Sequence, residues 1–498
     1  MMAQLALILW VPASFALFAV LRPAMAASVG LLGALLLLPA RFSFNLQGFP
    51  DLDKDRLPVL AVFVACLTLA PARIRRPPPA LLLAAFVLIG GSFLTAITNA
   101  EPVAFGAVYL PPLKIWDGVS FSGAALLDLL LPFFLGWTLY RKPRDLRDLL
   151  VLVTLAACIY SVPILWELRM SPQLHNIVYG YYPTGFQGLK RYGGFRPVVF
   201  MVSPLQTALF IATCCIASVS LWRAGETLLM RFGRSSNRSG VPMGPISIYL
   251  LALLVASKSL AAAVYGSVGA SVLVFLRSRL VVPLAVGLAS IVLTYPLLRT
   301  LDLFPTSLLV NAAANVNEER AQSLSFRFEN EDILLRRAWE KIWFGWGSWR
   351  RNRVFDPISG RDISITDGYW VIVLGTRGIL GCAATFGLLL APVFLAARNF
   401  SALRSRRDRL VVAGVIWIVT LNAIDKIPNA HPNAFAIFVA GALAGAITGS
   451  KRVRSHSGNP KRISHGPAQP RSEERSHCAL PDVGPDVRLD PSIVQASG

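Results

Sequence analysis

Residues 369–397 read YWVIVLGTRGILGCAATFGLLLAPVFLAA, with Arg377 as the one charge in the run. A helix needs about 20 apolar residues to cross a bilayer, and this run exceeds that. Similar runs, most of about 17–22 residues, recur at approximately 3–21, 24–40, 57–72, 80–97, 119–140, 149–166, 198–222, 246–258, 260–276, 280–297, 410–425 and 433–449. Lipid offers backbone groups no hydrogen-bond partners, so the runs must be helical. The expected fold is an all-α polytopic membrane protein with about 12–13 transmembrane helices. The pair 246–258 and 260–276 is short, with Ser257, Lys258 and Ser259 between its halves. A hairpin of broken or tilted helices is expected there, its polar turn facing a cavity.

Composition agrees. Of 498 residues, 54% are apolar and 15% charged, and the mean hydropathy is +0.56. A soluble protein carries roughly 25% charged residues, so a set of soluble domains is excluded. The apolar content excludes global disorder. The net charge of +21 invites a nucleic-acid reading. That reading fails because the basic residues sit in short clusters between apolar runs.

Those clusters set the direction of the chain, since Lys and Arg collect on the cytoplasmic side. They are Arg73/Arg75/Arg76, Arg141/Lys142/Arg144/Arg147, Arg223/Arg231/Arg234/Arg238, Arg277/Arg279, Arg404/Arg406/Arg407/Arg409 and Lys451/Arg452/Arg454. With the spans above, all fall on one side. The N-terminus is then outside, unless the first run is re-entrant. No cleavable signal peptide is evident, because Met-Met-Ala-Gln lacks a basic start. The outer loops are 41–56, 98–118, 168–197, 298–368 and 426–432. The chain thus divides into transmembrane helices 1–10 (1–297), a large outer loop with an amphipathic helix (298–368), C-terminal transmembrane helices (369–449) and a tail (450–498). The tail is polar and aperiodic and reads as disordered and cytoplasmic. Its basic start either touches anionic lipid or is simply solvated.

The six cysteines form no CxxC pair, and five lie in expected spans, where buried apolar packing is the default. His175 and His431 lie in separate outer loops, and no HExxH spacing occurs. The loop acids alternate with Arg, unlike a cation cage. No metal or other cofactor is expected.

Two outer loops are basic and aromatic against the inside bias. One carries GLKRYGGFRP, with Lys190, Arg191 and Arg196. The other carries Arg327, Arg336, Arg337, Arg350, Arg351, Arg353 and Arg361. Within the second, Asn330 has the chemistry of an N-cap, with Glu331 and Asp332 in the first turn. Leu334, Ala338 and Ile342 then share a face, so an amphipathic helix is expected to end near Gly345 or Gly347. Trp339, Trp343, Trp346, Trp349 and Trp370 cluster around it, and Trp favours headgroup level. The helix is therefore expected along the outer bilayer surface. A guanidinium fork binds phosphate oxygens bidentately, which suits a membrane diphosphate. The alternative is pairing with nearby acids, favoured for Arg336, Arg337, Arg350, Arg351, Arg353 and Arg361. Asp128 and Lys258 are intramembrane charges, either functional or paired structurally. Arg377 is placed to snorkel, and Asp425 and Lys426 to pair with each other.

The segment from Arg327 to Gly381 resembles the O-antigen ligase/polymerase family of polytopic membrane glycosyltransferases, an exopolysaccharide polymerase-like group. The resemblance rests on Arg327 opening the helix, the turn Gly345-Trp346-Gly347, and the helix start Gly378-Ile379-Leu380-Gly381. The family's His position falls on Asp367, in ITDGYWVIVLGTRGILG. Upstream, RYGGFRP is similar to the family's R-x-x-G-F segment, putting Arg191 on its arginine. SKSLAAAVYG is similar to its short hairpin, with Lys258 on the arginine there. The resemblance covers roughly 190–381 and the topology.

It implies transfer of a glycan from a polyprenyl (undecaprenyl) diphosphate carrier to an acceptor sugar or lipid, in O-antigen or exopolysaccharide assembly. The site would face the periplasm, in the multi-pass setting of a bacterial inner membrane. Neither nucleotide sugar nor cofactor would be needed. Arg191, Arg196, Arg327 and Lys258 would hold the diphosphate and stabilise the leaving charge. Asp367 would activate the acceptor hydroxyl, and Arg327 would be the second catalytic residue through its grip on the diphosphate. A carboxylate with an ordinary pKa near ~4 is a weaker base than His, so Asp367 is alternatively an acceptor-orienting group or the cap of the following helix. The expected partners are the lipid-linked donor, the acceptor, the bilayer and a polysaccharide export complex, with no nucleic acid. Two other readings compete. One is a polysaccharide or lipid transporter, disfavoured because no repeated halves are visible. The other is a non-catalytic subunit of an export complex, using the long loop for docking.

Overall fold

The computed structural model describes residues 1–191, 193–229, 240–315, 318–348, 350–365, 367–430 and 433–457. Arg231, Arg234, Arg238, Trp349, His431 and the tail from 458 lie outside the described residues. The chain is an all-α polytopic membrane protein, with 71% of its described residues helical. Among the described residues, strand is confined to four two-stranded antiparallel pairs in loops.

The helices follow the apolar runs closely. They are α1 (Met2–Val20), α2 (Pro23–Leu37), α3 (Arg56–Leu69), α4 (Pro79–Thr98), α5 (Ile115–Ala125), α6 (Leu131–Leu139), α7 (Pro143–Met170), the loop helix α8 (Leu174–Tyr179) and α9 (Pro204–Arg223). Then come α10 (Met243–Ala256), α11 (Leu260–Phe275), α12 (Ser278–Thr300), the loop helices α13 (Thr306–Ala314) and α14 (Glu318–Trp339), α15 (Tyr369–Arg398), α16 (Arg406–Asp425) and α17 (Ala434–Ser457). A π-helical turn at Leu126–Leu130 joins α5 to α6, so that pair crosses as one unit. Among the described residues, seven helices are long and apolar enough to span a bilayer, and five shorter apolar ones accompany them. α16 joins them although both its ends are charged, because its centre is buried almost without interruption.

Several helices outrun their apolar stretches. α7 begins at Pro143, where Asp145 accepts the backbone N–H groups of Arg141 and Lys142. Hydropathy detects only the part inside lipid, whereas capping extends the helix beyond it. α17 likewise continues to Ser457, past the position 450 where the sequence loses its apolar character.

Contacts between loops sort the chain into two faces. On one, Arg22 pairs with Asp148 at 3.1 Å and Arg147 with Glu226 at 2.7 Å, and Arg141 donates to the Arg73 carbonyl at 2.6 Å. On the other, the Ala40 N–H donates to His175 Nε2, Lys54 to the Phe200 carbonyl and Lys341 to the Thr98 carbonyl. These are the groupings expected from the Arg clusters. Leu7 packs on Leu38 beside Phe42 and Phe44, so α1 starts on the second face. α9 and α16 form the buried centre. α1, α4 and α12 turn large apolar side chains outward, Phe86 of α4 being 77% exposed. Water does not tolerate an apolar sheath of that extent, and lipid does.

Candidate functional site

The long loop differs from its expectation in one instructive way. α14 starts at Glu318, so Asn330 is an interior residue and not an N-cap. Residues 318–330 contain neither Gly nor Pro, and Glu318 and Glu319 suit the positive end of the helix dipole. Asn330 instead holds the far end of the loop, where its Oδ1 accepts the Ile365 N–H at 2.8 Å. One residue on, the Glu331 carboxylate accepts the Tyr295 hydroxyl, the Trp370 indole N–H and the Arg299 guanidinium at 2.9–3.3 Å. Burial pushes the Glu331 carboxyl up, against the pull of those donors. α14 is therefore docked into the helical domain and does not lie free along its surface. Trp370 and Trp346 are buried, while Trp339 and Trp343 are exposed, so only the latter pair suits an interfacial role.

Arg327 lies on the same face of α14 as Asn330 and Glu331 (i, i+3, i+4). The two clamps hold the chain at Ile365 and Trp370, and Asp367 lies between them. Its Oδ2 is 3.5 Å from Arg327 Nε, with the two side chains 43% and 36% exposed. An ion pair this open adds little stability, about 0–1 kcal/mol. Asp367 does not cap α15: the N-cap is Gly368, without a side-chain bond, and the Tyr369 and Trp370 N–H groups go to carbonyls of Lys426 and Asn429. The capping role is thus taken by the 426–429 loop.

The two glycine motifs meet. α15 is broken at Gly378, whose φ is +66°. The Trp346 and Gly347 N–H groups bond the Gly375 and Thr376 carbonyls at 2.8 and 3.0 Å, and the Ile379 N–H bonds the Ile342 carbonyl at 2.7 Å. A Cβ on Gly345 would fall 2.5 Å from the Thr376 carbonyl carbon, and one on Gly378 2.3 Å from the Trp343 oxygen. The turn therefore re-satisfies the backbone of a discontinuous helix, a device tolerated at membrane depth only where protein covers it.

The second cluster forms on the 168–203 loop. Lys190–Arg191 and Gly194–Phe195 make a hairpin. Arg191 is exposed, but Arg196 is 6% exposed, and its Nε and Nη2 have no hydrogen-bond partner among the described residues. Burial, with the Arg191 charge beside it, pulls the Arg196 guanidinium down to about 10. Lys258, in the left-handed conformation (φ +57°) at the α10–α11 turn, packs on this hairpin. A Cβ on Gly194 would fall 2.0 Å from its Nζ.

Glu167, an acid at the edge of the α7 apolar run, fixes this loop. It accepts the N–H groups of Leu174, Val198 and Val199 at 2.7–3.1 Å. It belongs to no motif, although a lone carboxylate at the end of a span is itself a signal. Asp128, Asp425 and Lys426 each have specific partners. Asp128 pairs in two-point fashion with Arg56. Asp425 accepts from Asn429, and Lys426 lies over the Tyr369 ring. Arg337, Arg350 and Arg353 pair with Glu340 or Asp362 as expected, but Arg351 is buried among the carbonyls of Pro111, Asn99 and Glu101.

No known family model matches the sequence, and no curated protein matches it.

Proposed function

We propose that the protein is a membrane glycosyltransferase that moves a glycan from a polyprenyl diphosphate carrier to an acceptor hydroxyl during surface-polysaccharide assembly, at the periplasmic face of a bacterial inner membrane. The observation that carries the reading is the buried Arg196 guanidinium, two of whose nitrogens have no partner among the described residues, beside Arg191 and on the hairpin that Lys258 packs against. Burying an uncompensated charge costs several kcal/mol, and an anion that supplies the missing acceptors removes that cost. A diphosphate offers oxygens in the geometry a guanidinium fork takes.

In this reading Arg191, Arg196, Lys258 and Arg327 hold the diphosphate. The acceptor oxygen attacks the anomeric carbon as the bond from that carbon to the diphosphate oxygen breaks. The bonding pair leaves with the polyprenyl diphosphate, whose charge the cations stabilise. Asp367 takes the acceptor's proton or orients its hydroxyl, with Arg327 holding the carboxylate in place. The test is a chromosomal Arg327→Ala strain in which membrane insertion is verified. Polymer should disappear and lipid-linked glycan accumulate: single repeat units indicate a polymerase, long chains a ligase. Normal polymer with well-expressed variant protein defeats the proposal.

A further inference from the structure

A separate cavity of 190 Å³, with apolar and polar walls, lies between α3, α4, α5 and the first half of α15, bordered by Gly347 and Ser348 of the glycine turn. Its walls include Arg56, Asp128, Ser92, Thr95, Tyr369 and Arg377. The charges do not balance. Arg56 and Asp128 neutralise each other at 2.7 and 3.0 Å. Arg377 makes no ion pair among the described residues. Its Nη1 is fully buried and bonds to nothing among them.

The break in α15 explains how a guanidinium comes to be there. Arg377 is the last residue before Gly378, and Gly381 leaves room for its stem. A Cβ at 381 would fall 2.4 Å from the arginine's Cβ and within 3.6 Å of its Cγ and Cδ. The arginine therefore does not simply snorkel. A guanidinium in a wall of this kind calls for a carboxylate or phosphate.

The remaining walls narrow the choice. Ser92 donates its hydroxyl hydrogen to the Leu88 carbonyl, and Thr95 donates to the carbonyls of Gly91 and Phe344. Each therefore presents lone pairs to the cavity, as acceptors for hydroxyl hydrogens. Phe121 and Tyr369 add aromatic surface. Apolar faces with a few convergent polar groups bind small polar molecules in a fixed orientation. Hydroxyl acceptors, aromatic surface and one uncompensated cation together describe a sugar that carries one negative charge.

We propose that this cavity binds an anionic sugar residue, such as a hexuronic acid, with Arg377 on its carboxylate. Its role as a subsite for the glycan being extended rests on the transferase reading, whereas the binding itself does not. The test uses purified full-length protein in detergent, with binding followed by calorimetry and by thermal shift. The probes are glucuronate, glucose and inorganic phosphate. Glucuronate is expected to bind at least fivefold tighter than either of the others. Arg377→Gln should weaken it about tenfold. Gly91→Val should do the same with all charges kept, because nothing lies within 4 Å of a Cβ built at Gly91, which lines the cavity. Arg327→Ala should leave glucuronate binding unchanged. The inference is overturned by glucose or phosphate binding as well as glucuronate, by no binding of glucuronate, by binding that survives both Arg377→Gln and Gly91→Val, or by its loss in Arg327→Ala. If glucuronate fails to bind while glycan transfer still depends on Arg327, this inference falls alone. If transfer proceeds without Arg327 while glucuronate binds, only the donor reading falls.

Discussion

Arg196 and His175 sit in the same outer loop and carry opposite expectations. A buried charge without a partner is a liability to the fold, so Arg196→Met should leave the melting temperature unchanged or raise it. Glycan transfer should fall by ~10–100-fold, the worth of charge-assisted hydrogen bonds at about 1.5–3 kcal/mol. A drop in melting temperature with unchanged transfer would make Arg196 structural instead. His175 is built in as a neutral ring: Nε2 accepts from the Ala40 N–H, so Nδ1 donates to the Tyr181 carbonyl. Burial holds its pKa below the ordinary 6.5. Protonation therefore favours the unfolded loop, in which the ring titrates near 6.5. Stability from this contact is complete above that pH and is lost as pH falls below it. Thermal unfolding compared at pH 7.5 and pH 5.5 should show the loss, and His175→Asn should flatten the difference.

At the scale of elements, the decisive feature is the pairing of the glycine turn with the broken α15. Gly345→Ala adds a Cβ against fixed backbone at a positive φ (+74°), where strain and overpacking each cost about 1–3 kcal/mol. Gly347→Ala meets only the side chains of Leu113 and Phe121, which can shift, so it should cost less. Limited proteolysis of the 340–368 segment should rank Gly345→Ala, then Gly347→Ala, then wild type in susceptibility. Equal resistance of all three would remove the pairing as a structural determinant. The helices themselves were legible because each crossing must be about 20 apolar residues long, and lipid enforces that locally. Both glycine motifs were visible too. That they bond to each other was not, because the bond joins backbone groups some thirty residues apart and leaves no side-chain pattern. Asn330 misled for a related reason. Asn followed by Glu and Asp carries the N-cap signature, yet the preceding stretch has no breaker and the helix runs through it. The Arg327–Asp367 approach depends on the Asn330 and Glu331 clamps, which only tertiary packing reveals.

Across the whole molecule, charge and topology make one statement. The ion pairs Arg22–Asp148 and Arg147–Glu226 tie arginine-rich turns to one face. The N-terminal end of α1 lies on the opposite face, with residues 38–57 and the loop carrying His175. If Arg and Lys retention sets direction, the first face is cytoplasmic, and the N-terminus, the Arg191 hairpin and the Arg327–Asp367 pair are all outside. With Cys478 of the tail replaced by serine, the native cysteines are a suitable background for a labelling test, because four of the five among the described residues are buried and the fifth is partly so. Single cysteines at Ile358, which is 91% exposed in the long loop, and at Gln4 near the N-terminus should react in intact cells with an outer-membrane-permeant but inner-membrane-impermeant maleimide. A cysteine at Arg407 should react only after lysis. The Gln4 result discriminates most sharply. A re-entrant first helix would return the N-terminus to the cytoplasm and protect it, while leaving every later loop where it is. Labelling at Gln4 and Ile358 together, with protection at Arg407, places the Arg191 and Arg327 clusters on the side that the proposed transfer requires. Labelling at Arg407 in intact cells would invert the molecule and remove both proposed binding sites from that side at once.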